Sequence, residues 1–311
     1  MTPAAGQGAG LPPGPDLVVG LDAGGTKLAI RAETLGGDLV ADVTFGAGEW
    51  SAVPAAAAAS WLLEHVGRAV PAGSRLVALG VGAQGCDAPQ VAAALEHALA
   101  ARGVGATVVN DGALLVPAAG LDQGIGVVAG TGSIAVGADA TGQILLAGGW
   151  GWVLGDEGGA AAIVREAVRA ALSRHDAGQP DDGLLAGLTG AFGVCTTEQL
   201  ARAVNDDPTA ENWAPHAPTV FAAADAGSGL AQGVVSAAAG DLVELVAKLL
   251  ARGAVGTTVV AAGSVIVRQP RLAEAFRGEL ARHHPGLDLC VLAAEPVAGA
   301  VTLARRLLAA R

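Results

Sequence analysis

The hydrophobic pattern of the first third of the chain predicts an α/β domain that opens with three strands. Apolar runs separated by glycine turns predict strands over residues 17–22, 27–33 and 39–45, which is typical of an antiparallel meander. The pattern that follows predicts, in alternation, a helix over 53–70, a strand over 75–80, a helix over 89–102 and a strand over 106–110. Strands that alternate with helices after a meander indicate a mixed sheet.

The same pattern begins again near residue 124. The segments VVGLDAGGTKLAI and IGVVAGTGSIAVG both contain a strand, a glycine turn and a returning strand. The second half predicts strands over 124–129, 134–138, 143–147, 257–262 and 287–292, and helices over 156–175, 218–226, 230–252, 271–282 and 297–310. A mobile loop is expected over 176–182, and a capping box over 196–199 predicts one more helix. Such self-similarity indicates a duplicated α/β unit.

The repeat predicts two domains, over residues 16–117 and 118–296, with a closing helix over 297–311 that packs back on the first domain. A chain of 311 residues is long enough for both to bury a core. Residues 1–15 are expected to form a disordered tail. They are not a signal peptide, because they lack its basic segment and its apolar core. The sequence has no uninterrupted apolar stretch of about 20 residues that is free of glycine and charged residues, so no transmembrane helix is expected. These features predict a cytoplasmic protein.

Composition narrows the possible partners. With 52% apolar and 15% charged residues the chain is globular. A net charge of −11 argues against binding to nucleic acid or to an anionic membrane surface, since both need basic patches. Cys86, Cys195 and Cys290 are far apart and lack the spacing of a zinc site or a disulfide framework.

The first glycine turn has the chemistry of a phosphate site. Glycines at a strand corner let backbone N–H groups approach a polyphosphate closely. Nearby side chains add a hydroxyl, a positive charge and a carboxylate that can hold a metal through water; the candidates are Asp22, Gly24, Gly25, Thr26 and Lys27. The turn is neither a Walker loop nor a dinucleotide fingerprint, because a strand follows it. An ordinary hairpin turn is the alternative interpretation.

The repeat supplies a second glycine turn, formed by Gly130, Thr131, Gly132 and Ser133. Its small residues and hydroxyls suit the β- and γ-phosphates of a nucleotide. A third glycine corner, at Gly263 and Ser264, suits contact with the adenosine.

A carboxylate at the end of a predicted buried strand is the candidate catalytic group. Asp111 follows the strand over 106–110, where it could accept a proton from a substrate hydroxyl. Asn110 beside it is a candidate substrate contact. The alternative is that Asp111 caps the following helix.

The block GGWGWVLGDEGG, residues 148–159, combines tryptophans, acids and glycines. A tryptophan ring can stack on the apolar side of a sugar, while Asp156 and Glu157 can accept hydrogen bonds from its hydroxyls. The alternative is that these acids interact with the dipole of a helix that starts there.

Together, DAGGTK, NDG, AGTGS and GGWGWVLGDEGG resemble the N-acetylglucosamine kinase family, within the BadF/BadG/BcrA/BcrD-type ATPases of the actin/hexokinase/Hsp70 superfamily. The resemblance runs from about residue 17 to the C-terminus. It implies two duplicated actin-like, ribonuclease H-like α/β domains with mixed sheets and an interdomain cleft. It further implies transfer of the γ-phosphate of ATP to the 6-hydroxyl of N-acetylglucosamine with Mg²⁺, held through Asp22, by a homodimer.

The resemblance also implies roles for single residues. Asp111 would be the base and a sugar ligand, and Thr26 and Thr131 would contact the nucleotide, as would Ala224 by a looser alignment. The sugar site would be lined by Gly149, Trp150, Gly151 and Asp156, with Gln84 or Gly85 nearby. Where the family has an asparagine that binds the sugar before Trp50, this chain has Glu49. Glu49 and Trp50 are candidate sugar contacts, and glucosamine remains open as the substrate.

Three other classes remain for comparison. A dehydratase-activating ATPase of the same branch shares the phosphate turns but needs paired cysteines for an iron–sulfur cluster. A sugar-sensing regulator would carry a helix-turn-helix segment before residue 17, and the bacterial glucokinase and repressor family carries a cysteine-rich zinc motif. Neither feature occurs in this sequence.

Overall fold

The structure is a computed structural model that describes residues 14–310. Most of the predicted disordered tail, up to residue 13, lies outside the described residues. Gly14 and Pro15 are described, and both form backbone hydrogen bonds with the segment before the fourth strand: Gly14 N–H donates to the carbonyl of Gly73, and Arg75 N–H donates to that of Pro15.

The chain forms two compact units. The first unit contains the chain up to Asp111 and the C-terminal segment from Pro296, and the second unit contains Gly112–Glu295.

The first unit is built on a five-stranded mixed sheet. Its strands are β1 (Asp16–Ala23), β2 (Lys27–Thr34), β3 (Leu39–Gly46), β4 (Arg75–Ala83) and β5 (Ala106–Val109), in the order β3-β2-β1-β4-β5. β2 is antiparallel to β1 and β3, whereas β1, β4 and β5 are parallel. Its helices are α1 (Ala55–Ala69), α2 (Pro89–Ala100) and, from the C-terminus, α12 (Val297–Ala309).

The second unit repeats this sheet. Its strands are β6 (Ile125–Ala129), β7 (Ser133–Ala138), β8 (Ile144–Gly148), β9 (Thr258–Ala262) and β10 (Asp288–Val291), in the order β10-β9-β6-β7-β8. Each strand of β6–β10 takes the place of its counterpart in β1–β5, with the same parallel and antiparallel pairings. The predicted duplication of an α/β unit with a mixed sheet is therefore confirmed.

Helices form the rest of the second unit. They are α3 (Leu115–Ala118), α4 (Ala160–Asp176), α5 (Leu184–Ala191), α6 (Thr197–Asn205), α7 (Ala210–Trp213), α8 (Ala217–Asp225), α9 (Gly229–Ala251), α10 (Ser264–Arg268) and α11 (Pro270–His283). The predicted strands match the observed ones closely. No described helix is long and apolar enough to cross a membrane.

The central strand β1 is buried on both faces, as a near-continuous apolar run predicts. Leu17, Val19 and Leu21 pack into the core beneath α1 and α2, while Val18 packs against α12. Close approach of α12 requires glycine in the sheet: a Cβ on Gly80 would overlap the carbonyl of Ala300. The edge strand β3 is instead more exposed along its length.

One predicted helix start and one predicted capping contact need correction. The helix predicted over 156–175 begins only at Ala160, because Asp156 (φ 60°) and Gly158 (φ 84°) adopt left-handed backbone that an α-helix cannot contain. In the predicted capping box, Thr196 does accept a hydrogen bond from Gln199 N–H. The Gln199 side chain, however, accepts from the N–H of Cys195, one residue earlier than a capping box requires.

Candidate functional site

In the first unit, most candidate residues meet at one edge of the sheet. β1, β3, β4 and β5 run in one direction, so the turn from β1 to β2 and the segments after β3, β4 and β5 all lie at their carboxyl ends. This is where open α/β sheets bind ligands. The residues brought to this edge are Asp22, Gly24, Gly25, Thr26, Lys27, Glu49, Trp50, Gln84, Gly85, Asn110 and Asp111.

The first glycine turn, residues 24–27, is largely exposed. Gly24 N–H donates to the carbonyl of Lys27 at 3.0 Å, which closes the turn. Asp22, just before it, is only 9% exposed. The side-chain amide of Gln84 lies against the turn, since a Cβ on Gly25 would lie 2.6 Å from Oε1 of Gln84. The amide predicted to contact the sugar therefore also borders the predicted phosphate turn.

Trp50 connects three parts of this edge. Its ring nitrogen Nε1 donates to the carbonyl of Gln84 at 3.2 Å, and its ring packs at 5.3 Å from that of Trp61 on α1. Its backbone N–H donates to the carbonyl of Ala47, whose own N–H donates to the carbonyl of Thr26. Trp50 therefore holds the segment after β4 in place. Its neighbour Glu49 is exposed, as the predicted sugar contact requires.

Asp87 lies between β4 and α2, in the segment that also carries Gln84 and Gly85. The structure shows that it does not cap α2, which begins after Ala88 without a side-chain cap. Instead Asp87 Oδ1 accepts a hydrogen bond from Nδ2 of Asn110 at 2.5 Å. Asn110 is only 3% exposed, so this bond fixes the direction of a buried amide next to Asp111. No signal in the sequence pairs these two residues.

The Asp87 and Asp111 carboxylates share a neighbour in Cys86. Burial, together with the charges of Asp87, Asp111 and Glu96, raises the pKa of the Cys86 thiol to about 11. Asp111 itself is half-buried and begins a short 3-10 turn, Asp111–Leu114. Its carboxylate thus lies at the end of β5 in an environment that is already negative.

In the second unit the equivalent edge carries the remaining turns. The second glycine turn, residues 130–133, joins β6 to β7, and the corner at Gly263 and Ser264 follows the parallel strand β9. These two corners are adjacent, because a Cβ on Gly130 would lie 3.8 Å from the backbone nitrogen of Ser264. Gly263 has a φ of 109° and packs on Ala129, where a Cβ would lie 2.6 Å from the carbonyl carbon. Only glycine fits this corner.

The two tryptophans of the GGWGW block have different environments. Trp152 is half-buried and packs edge to face against Trp213 at 4.9 Å between ring centroids. Trp150 is 76% exposed and lies between Gly149 (φ 73°) and Gly151 (φ 84°). A large aromatic ring exposed to this extent is available to a ligand.

Asp156 lies next to the second glycine turn. A Cβ on Gly132 would lie 2.6 Å from Cγ of Asp156, so only glycine leaves room for this carboxyl group. Burial raises the pKa of the Asp156 carboxyl, an effect opposed by hydrogen bonds from the backbone N–H groups of Ser133 and Gly151 and increased by the charge of Glu157.

Ala224 lies on α8 and not in any of the glycine turns. It is fully buried in α8, and its carbonyl accepts a hydrogen bond from Nε2 of Gln232 at 3.0 Å. The nucleotide contact of Ala224 stays a prediction, and its buried methyl group offers no atom to a ligand at the surface.

Among residues 14–310, no group of three or more His, Cys, Asp or Glu side chains could hold a metal ion. Mg²⁺ does not need such a group, since it is commonly bound by one or two carboxylates together with substrate phosphates and water. Asp22, beside the first glycine turn, fits this mode of binding.

Comparison with known proteins gives consistent matches over almost the whole chain. The model of the BadF/BadG/BcrA/BcrD ATPase family matches residues 19–304. A protein of Clostridium acetobutylicum named N-acetylmuramic acid/N-acetylglucosamine kinase is 25% identical over 299 residues, covering 93% of this chain and 98% of that protein.

Solved structures show the same fold. A proposed N-acetylglucosamine kinase from Chromobacterium violaceum is 24% identical, with a TM-score of 0.69, over 94% of this chain and 99% of that one. A ROK family glucokinase from Streptomyces griseus, in complex with glucose and AMPPNP, is 18% identical, with a TM-score of 0.53, over 93% and 98% of the two chains. The predicted two-domain α/β fold is thereby confirmed.

Proposed function

The chain belongs to the BadF/BadG/BcrA/BcrD ATPase family, and from that premise we propose that it is an ATP-dependent sugar kinase that phosphorylates the 6-hydroxyl group of N-acetylglucosamine. The observation that carries the proposal is the edge of the first sheet. There a half-buried carboxylate, Asp111, follows β5 at the same edge as an exposed glycine turn with Thr26 and Lys27.

Asp111 acts as the general base. It accepts the proton of the 6-hydroxyl while that oxygen attacks the γ-phosphorus of ATP, and the bond to the β-phosphate oxygen breaks. Phosphoryl transfer needs little beyond such alignment and the neutralisation of charge. The bond from Asn110 to Asp87 supports this role, because it holds a buried amide in one direction beside the base.

The glycine turns bind the phosphates of ATP through their backbone N–H groups. The hydroxyl groups of Thr26 and Thr131 and the ammonium group of Lys27 contribute further donors. Mg²⁺, held through Asp22, supplies neutralisation of the phosphate charge when it is bound. Gly263 and Ser264 contact the adenosine.

The sugar binds on Trp150, whose exposed ring stacks on the apolar face of the pyranose, with Gly149 and Gly151 beside it. Glu49 determines the preference at the 2-position. Its carboxylate would attract the protonated amine of glucosamine, so glucosamine is the second candidate substrate. The match to a kinase named for N-acetylated sugars supports N-acetylglucosamine as the first.

We further expect a homodimer in the cytoplasm that binds neither nucleic acid nor membranes. The net charge of −11 supports the expected absence of nucleic-acid and membrane partners. Light scattering of the purified protein measures its mass in solution.

A coupled assay of ADP release tests the proposal. Purified protein is supplied with ATP and Mg²⁺ and with N-acetylglucosamine, glucosamine, glucose or N-acetylmannosamine. We expect N-acetylglucosamine to give the highest kcat/KM, and the Glu49→Asn variant to increase its preference over glucosamine. The kinase proposal is wrong if no sugar stimulates ADP release. Sugar-independent hydrolysis by a brown protein would favour the iron–sulfur activating ATPase instead.

A further inference from the structure

We propose that Asp156 is a positioning residue that holds the second glycine turn in its nucleotide-binding conformation, in addition to any contact with the sugar. The inference rests on the proposed function only in that this turn binds nucleotide phosphates.

The backbone of Asp156 is the first observation. Among residues 14–310 it is the one non-glycine residue with a positive φ, at 60°. The left-handed residues around it, Gly149, Gly151 and Gly158, are all glycine. A side chain at such a position costs free energy relative to glycine and persists where surrounding contacts require it. The carboxyl group of Asp156 must therefore make interactions that a glycine could not.

Those interactions are directed at the turn. The backbone N–H groups of Ser133, the last residue of the turn, and of Gly151 lie near the Asp156 carboxylate and lower its pKa, against the larger effect of burial. The carboxyl group lies directly over the backbone of Gly132. One short side chain thus connects the turn to the segment that carries Trp150.

Further hydrogen bonds join the same two segments. Ser133 Oγ donates to the carbonyl of Glu157 at 2.5 Å, and Gly149 N–H donates to the carbonyl of Ser133 at 2.9 Å. At the start of α4, Ala160 N–H donates to the carbonyl of Gly130 at 2.9 Å. Among these contacts, that of Asp156 involves an ionisable side chain, and hydrogen bonds to a charged acceptor are the strongest of their kind.

The charge of the Asp156 carboxylate favours a positioning role over direct binding of the nucleotide. A carboxylate beside a turn that binds phosphates repels the ligand unless its charge is satisfied locally. The two backbone N–H groups near the carboxylate offset part of that repulsion, so shaping the turn is the role that this position favours.

The test is nucleotide affinity measured without sugar. AMP-PNP with Mg²⁺ is titrated into the full chain by calorimetry for wild type, Asp156→Gly and Asp156→Asn. Gly keeps the backbone conformation and removes the acceptor, while Asn keeps one acceptor oxygen and tolerates positive φ. We expect Asp156→Gly to weaken AMP-PNP binding about 10-fold, and Asp156→Asn to lie between it and wild type.

Asp139 provides a matched control in the same unit. Its Oδ1 also accepts two backbone N–H groups, from Thr141 at 2.8 Å and Gln143 at 3.0 Å, but in the turn at the opposite edge of the sheet. Asp139→Gly should leave AMP-PNP affinity within about twofold of wild type.

The outcomes separate the possibilities. Unchanged or tighter AMP-PNP binding by both Asp156 variants would overturn the inference, and if Asp156→Gly does not fold, Asp156→Asn alone decides. Weaker binding of N-acetylglucosamine with unchanged AMP-PNP affinity would restrict Asp156 to the sugar. Absence of sugar turnover in the wild type would refute the kinase proposal and leave this titration interpretable.

Discussion

Both glycine turns join the first two strands of their unit, but different side chains lie against them. Over Gly25 in the first unit lies the neutral amide of Gln84, at the end of a flexible side chain. Over Gly132 in the second unit lies the ionisable carboxyl group of Asp156. Strand order therefore determines where each turn lies, whereas the segments that pack against a turn determine which chemical groups surround it.

The tryptophans after the third strands differ in the same way. Trp50 follows β3, is half-buried against Trp61 and donates its ring N–H to Gln84. Trp150 follows β8 and is 76% exposed. Equivalent places in a duplicated fold thus carry a structural ring in one unit and an available ring in the other.

The fifth strands complete the comparison. β5 is followed by Asn110 and Asp111, whereas β10 is followed by Leu292 and Ala293. The proposed base is therefore specific to the first unit, and three pairs of substitutions test this division.

The largest effect is expected for Asp111→Asn. Loss of the general base should lower kcat about 10³-fold, while the affinity for AMP-PNP and the Tm stay close to wild type. Steady-state kinetics measure kcat, calorimetry measures the affinity and the Tm, and Ala293→Asn at the equivalent position after β10 is the control. Turnover near that of wild type would remove Asp111 from the mechanism.

The two tryptophans should separate binding from stability. Trp150→Ala should raise the KM for the sugar about 10-fold and change the Tm little, because the ring is exposed. Trp50→Ala should lower the free energy of unfolding by about 2 kcal/mol, since it removes packing and a hydrogen bond. Thermal denaturation and sugar kinetics on both variants check this. The reverse assignment of effects would contradict the comparison.

The smallest expected effects come from alanine substitutions in the turns. Gly132→Ala places a Cβ against the Asp156 carboxyl group, which should cost about 1 kcal/mol of stability. In Gly24→Ala the nearest neighbour of the new Cβ, the carbonyl of Lys27, lies 3.7 Å away, so stability should change by less than about 0.5 kcal/mol. Urea denaturation distinguishes the two. Equal destabilisation would show that both turns are equally constrained.

Much of the fold could be predicted from the sequence. Glycine turns between apolar runs gave the strands of both sheets, because local propensity and burial agree there. The repeat gave the duplication, because VVGLDAGGTKLAI and IGVVAGTGSIAVG share strand–turn–strand spacing. The predicted helix start at residue 156 was wrong, and the helix begins at Ala160, because apolar periodicity carries no information on the left-handed backbone of Asp156.

The contacts within the candidate site could not be predicted in the same way. Asp87 and Asn110 are 23 positions apart and meet only because β4 and β5 are parallel neighbours. Gln84 reaches Gly25 because β1 and β4 end at the same edge. Such pairs depend on strand register, which a single sequence does not specify.

Hydrogen exchange measured by mass spectrometry tests most directly whether both glycine turns bind the nucleotide. Exchange is followed with and without AMP-PNP and Mg²⁺ in peptides that contain residues 24–27 and 130–133. The account predicts slower exchange in both peptides, together with unchanged exchange in the 139–143 turn at the opposite edge of the second sheet. Protection of only one glycine turn, or of neither, would contradict it.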